Sequence, residues 1–182
     1  MNAIVAAHEK LCLLLERWAD TLLPTLARLI FAGVLCRYFW ASAQTKLGDS
    51  LFSLSDGAYA QIFPKAFEAA GYDSSQLGLW HWLVAMAGAS AEFLLPLLIV
   101  IALATRLAAV AMVGFVALQS LTDIYGHGAD TETIGQWFDR APDSLILDQR
   151  AFWVFVLLVL VLVIKGAGAL SIDRALRQWV SG

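Results

Sequence analysis

Residues 79–107 read LWHWLVAMAGASAEFLLPLLIVIALATRL. A spanning helix needs about 20 predominantly apolar residues, and this run supplies them with one acid, Glu92, near its middle and Thr105-Arg106 at its end. An ionised side chain at mid-membrane costs roughly 2.5–3.5 kcal/mol on insertion scales, so such a carboxylate pairs with a cation or lines a wet cavity. The rest of the chain has the same character. Hydrophobic residues make up 60% and charged residues 15%, with a mean hydropathy of +0.71, whereas about a quarter of the residues in a soluble domain are charged. The 182 residues accommodate four spans, at about 21–43, 80–104, 107–125 and 148–165, with two sizeable loops and no separate soluble domain. The expected fold is all-α: an integral membrane four-helix bundle, one domain over residues 1–182. A net charge of −3 without a basic cluster excludes a nucleic-acid partner.

Before the first span, residues 3–20 place Ile4, Ala7, Leu11, Leu14, Leu15 and Trp18 at three- and four-residue spacing, with His8, Glu9, Lys10, Glu16 and Arg17 elsewhere on the wheel. This predicts a helix lying on the membrane surface, with Pro24 in the first turn of the next helix. Acids interrupt the N-terminal stretch and no small-residue cleavage site follows, so the first span reads as an uncleaved anchor. Cys12 and Cys36 form no CxxC and read as small apolar packing residues.

The first span carries Arg28 and Arg37 and leads through Tyr38, Phe39, Trp40 and Gln44 to Lys46. The aromatic cluster suits an interfacial belt. In an uninterrupted helix Arg28 and Lys46 share a face, about 27 Å apart, which sets Lys46 at the outer mouth. Loop 47–78 contains GAYAQIFPKAFEAAGY, a short amphipathic piece resting against the bundle. In the second span Trp80 and Trp82 flank His81, which stands on Glu92's face within about 20° but about 16 Å away along the axis. Pro96 frees a carbonyl near the acid. The third span puts Gln119 and Asp123 one turn apart on one face. In loop 126–148, His127 has Asp130 and Glu132 nearby without diagnostic ligand spacing, so no metal site is assigned. After the fourth span, Gly166 and Gly168 end the helix, and Ser171 or Asp173 can cap an amphipathic tail helix bearing Leu170, Ile172, Leu176 and Trp179.

Lys10, Arg17, Arg106, Lys165, Arg174 and Arg177 flank one side of the spans, against Lys46, Lys65, Arg140 and Arg150 in the acid-rich loops. The positive-inside rule sets both termini in the cytoplasm, with amphipathic interfacial helices at each, and the long loops outside. Counted from outer span ends near Ala43 and Trp80, Arg37 lies roughly 9 Å deep, Glu92 roughly 18 Å and Arg28 roughly 22 Å. That depth pairs Glu92 with Arg28 and leaves Arg37 to Gln119, Asp123 or a bound head group. Two readings follow. The pair fixes helix register, or the charges, with Tyr38, Gln44, Lys46 and His81, surround an outward-opening pocket for a small anion. In the second reading His81 and Glu92 handle protons and Arg37 stabilises an oxyanion.

Three features in order carry a family resemblance: Arg28 followed by Lys46; Glu92 followed by TRLAA at 105–109; and a G-x-G-x-x-S-x-D-x-x-L tail in Gly166, Gly168, Ser171, Asp173 and Leu176. Over about 22–176 the chain resembles the DoxX family of small four-helix membrane proteins. It departs from the family in Phe93-Leu94, where a Gly pair is frequent, and in Ala167, where Pro is frequent. Some members are similar to the membrane subunit of a thiosulfate:quinone oxidoreductase; others are associated with oxidative-stress complexes or with copper-binding modified peptides. The resemblance implies a bacterial-type inner-membrane protein with no covalently bound cofactor. It would be a quinone-linked redox subunit acting with a soluble partner or, alternatively, a non-enzymatic anchor or transport-related partner for a peptide, metal-handling or stress-response protein. Loops 47–78 and 126–148 would meet a protein partner, and the small residues of the third span would permit an oligomer.

Overall fold

A computed structural model of the chain describes residues 2–50, 53–128 and 158–181. Among the described residues the regular structure is helical, apart from an isolated antiparallel bridge between Leu47 and Leu54. Three helical stretches, Ile4–Lys46, Leu79–Ile101 and Thr105–Tyr125, are long and apolar enough to cross a membrane. The inner part of the fourth expected span, 158–165, is helical; its outer part, like most of loop 126–148, lies outside the described residues.

The first stretch is α1 (Asn2–Phe31), a π-helical turn (Ala32–Cys36) and α2 (Arg37–Lys46), joined without a break. The separate surface helix expected at 3–20 is therefore continuous with the span, and Pro24 lies inside α1 rather than in a first turn. Residues 3–20 are rich in Ala and Leu, both strong helix formers, so only Pro24 argues for a break. Its missing N–H frees the Asp20 carbonyl, and Gly168 closes over both, where a Cβ would stand 3.1 Å from Pro24 and 3.4 Å from that oxygen.

Loop 47–78 folds back as α3 (Asp56–Ile62), α4 (Pro64–Ala69) and a 3₁₀ turn (Ser74–Gln76). Tyr59 and Phe67 bury themselves against Ala85 of α5 (Leu79–Ile101). These short helices pack along the N-terminal turns of α5, and α2 ends level with Glu92. The main core lies below them. Ala27, Phe31, Leu35 and Phe39 pack on Ile99 of α5, on Ala108, Ala109, Met112 and Val116 of α6 (Thr105–Tyr125), and on Val159 and Leu162 of α7 (158–165). Large apolar side chains such as Leu83, Phe93, Leu107 and Leu118 face outward, as lipid contact requires.

The α5–α6 turn is tight. Ala102 and Ala104 both adopt left-handed backbone, φ 60° and 49°. No side chain of the turn caps α6. The cap comes from α8 (Ile172–Ser181), whose Asp173 carboxylate accepts from the Ala104 amide at 2.6 Å and the Thr105 amide at 2.9 Å, while the Asp173 amide donates to the Ala102 carbonyl at 3.0 Å. Ser171 takes the cap of α8 itself, accepting from the Arg174 amide at 3.2 Å. Burial opposes the Asp173 charge and is its largest single influence; the Thr105 and Ala104 hydrogen bonds and nearby Arg177 together outweigh it and hold the carboxyl below its ordinary range.

Candidate functional site

Glu92 is paired with Lys46, not with Arg28. Lys46 Nζ donates to both carboxylate oxygens, at 2.9 and 3.0 Å, and the two side chains are 4% and 1% exposed. Ser42, one turn before Lys46, accepts from Nζ at 2.8 Å and donates to Glu92 at 3.2 Å, and Gln119 Nε2 stands 3.4 Å from the same carboxylate. Two facts move Lys46 inward. The packed loop helices lower the end of α2, so the spans do not start level as the depth comparison assumes. The π turn adds roughly one residue to the helical count, a rotation of about 100°, so Arg28 and Lys46 do not share a face. Trp40 joins the same layer, donating to the Phe93 carbonyl at 3.2 Å and stacking on that ring.

Arg28 sits at the other end of the bundle. Its Nη2 donates to the Leu170 carbonyl at 2.5 Å. Around it Lys165 pairs with Asp20 at 2.9 Å, and Arg106 donates to the Ile164 carbonyl at 3.1 Å beside Gly166. Arg28, the Thr105-Arg106 turn and the Gly166–Asp173 tail therefore form one layer of polar contacts at that end, most of them to backbone.

Above the Lys46–Glu92 pair lies a cavity of about 1200 Å³, bounded by α2, α3, α4, α5 and α6. Its polar end is Tyr38, Ser42, Lys46, Glu92, Gln119 and Asp123; Gln61, Lys65 and His127 stand at its outer rim, and the remaining walls are largely apolar. Of the residues expected at the site, Tyr38, Lys46, Glu92, Gln119 and Asp123 line this space. Arg28, Arg37, Gln44 and His81 do not. Arg37 and Gln44 are exposed. His81 sets its ring edge-on to Phe63, with centroids 4.9 Å apart, and its Nδ1 is buried without a hydrogen-bond partner, so it packs under the loop helices and offers no contact to Glu92. Ser42 and His127 were not expected here. Ser42 is legible as a polar residue one turn before Lys46 on the same face; His127 is held by a non-local contact, its Nε2 3.0 Å from the Gln61 carbonyl.

At the deep end the Lys46 donors are taken by Glu92 and Ser42, and Asp123 adds a second carboxylate to the cavity wall. Among the described residues no three His, Cys, Asp or Glu side chains gather as metal ligands. Compared with known proteins, the chain matches no family model, no curated protein and no solved structure.

Proposed function

We propose that the chain is a DoxX-like four-helix subunit of an inner-membrane redox system, with cytoplasmic termini, and that the cavity binds the head group of a lipid-soluble quinone. The observation that carries this reading is a largely apolar cavity ending in a polar cluster whose ammonium is already bonded. A small anion would need a cation with free donors at the deep end, and Lys46 has given its own to Glu92 and Ser42. A neutral ring with polar substituents meets no such demand. Tyr38 and Gln119, which line the cavity, would bond its oxygens, and the apolar walls would exclude water. When bound, a quinone supplies two-electron redox chemistry to a soluble donor; the chain's own residues orient the ring. α8, with Leu176 and Trp179 exposed, lies along the inner leaflet in this reading.

Quinone titration of the purified protein, followed by tryptophan quenching, tests it. Glu92→Gln breaks the cluster and is expected to weaken binding about tenfold, a loss of roughly 1.4 kcal/mol, while Arg37→Ala, away from the cavity, leaves it unchanged. Absence of binding to the unmodified protein would refute the redox reading in favour of the anchor, whose signature is a co-purifying partner lost on deleting residues 126–148.

A further inference from the structure

The cavity is larger than a head group requires. Pockets that enclose drug-sized molecules measure roughly 300–1000 Å³, against about 1200 Å³ here, so a ring held at the Glu92 end leaves space unfilled. Where that space runs is read from α6. Ala111 and Gly114 belong to the cavity wall and are exposed. Gly114 is nine residues from Thr105 and eleven from Tyr125, roughly 14 and 17 Å from the two helix ends, which is hydrocarbon depth. Across the cavity α5 presents Ala87 and Ala91. Glycine in a spanning helix ordinarily serves close helix contact, and Gly88 does so: a Cβ there would stand 3.1 Å from Ile62. Gly114 differs. A Cβ built on it meets no described atom within 4 Å, so among the described residues it seats no neighbour and stands on the cavity wall.

We infer that the cavity opens sideways to the bilayer past Gly114, and that this residue selects for ligands carrying an apolar tail, which leaves the head-group site between Ala111–Gly114 and Ala87–Ala91. The inference rests on the quinone reading above. It makes Gly114 a specificity-determining position: a large side chain fills the lateral opening without touching the Lys46–Glu92 cluster.

The test compares two probes on the purified protein, a dimethoxy-methyl-benzoquinone without a tail and the same ring with a ten-carbon tail. With the unmodified protein the tailed probe is expected to bind more tightly, by roughly tenfold or more, since each buried CH₂ contributes about 0.8 kcal/mol. Gly114→Leu is expected to erase that advantage while leaving the tailless probe within about twofold; Leu is the better helix former, and retained tailless binding reports an intact site. Val110→Phe, on an exposed α6 position outside the cavity, should change neither. Equal affinities of the two probes for the unmodified protein, or a tail advantage that survives Gly114→Leu, overturn the lateral opening and leave the quinone reading standing, as does loss of both probes together in Gly114→Leu. Failure of both probes to bind the unmodified protein sinks both.

Discussion

Lys46 holds Glu92 through two contacts near 3 Å with almost no exposure, and among the described residues neither makes another salt bridge. Removing one member leaves the other buried and alone. Lys46→Ala or Glu92→Ala should therefore each lower stability by about 3–5 kcal/mol, whereas Lys46→Met with Glu92→Met, which removes both charges and fills the space, should return close to the starting value. Unfolding of the three variants in detergent measures this; a double variant as unstable as the sum of the singles would show that the two residues do not act as a unit. Ala104 makes the opposite kind of prediction. It is exposed and left-handed at φ 49°, a conformation that costs an L-residue roughly 1–2 kcal/mol. Ala104→Gly should raise Tm, by about 1 kcal/mol of stability offset in part by the greater freedom of glycine in the unfolded chain. A lower Tm would mean that the turn draws support from the Ala104 methyl.

At the level of elements, α6 depends for its N-cap on a residue 69 positions further along the chain. Asp173→Ala removes two charge-assisted bonds to the Ala104 and Thr105 amides, and losing a cap of this kind costs about 1–2 kcal/mol. The folded carboxyl titrates below its unfolded value of about 3.9. Its contribution is thus fully present above pH 4 or so and is lost as pH falls through the lower folded value. Thermal unfolding between pH 6 and pH 3 should become less acid-sensitive in Asp173→Asn; an unchanged acid slope would remove Asp173 from the account. The sequence does mark Ser171 and Asp173 as capping residues, because their types and positions after Gly168 are local signals. It does not say that Ser171 takes the nearby helix and Asp173 a remote one, since that division depends on how the inner ends of three helices meet. The π turn at 32–36 is silent in the same way: AGVLC carries no residue that demands it, yet it turns the face of α2 and decides which cation reaches Glu92.

Across the whole molecule, hydrophobic length alone makes three spanning stretches readable, because crossing a bilayer is a demand on each segment separately. The site is only half readable for the converse reason. Glu92, Gln119 and Asp123 are noticeable as polar residues in apolar runs, but Arg28 and Lys46 exchange roles once residues 56–69 sink onto α5 and shift one helix along another. The positive-inside rule sets the orientation: alkaline phosphatase fused after Gly182 should be inactive and a cytoplasmic fluorescent reporter there bright, and the reverse pattern would put both termini outside. The remote cap also has a consequence in time. Synthesis runs from the N-terminus at about 5–20 residues per second, so α5 and α6 leave the ribosome several seconds before Asp173 exists. Until then the turn between them holds two left-handed alanines and an uncapped helix end. Completion of the last ten residues is what closes it, and a chain cut short just before Asp173 would reach the membrane with its spans intact and its inner end unlatched, a ready mark for a membrane protease.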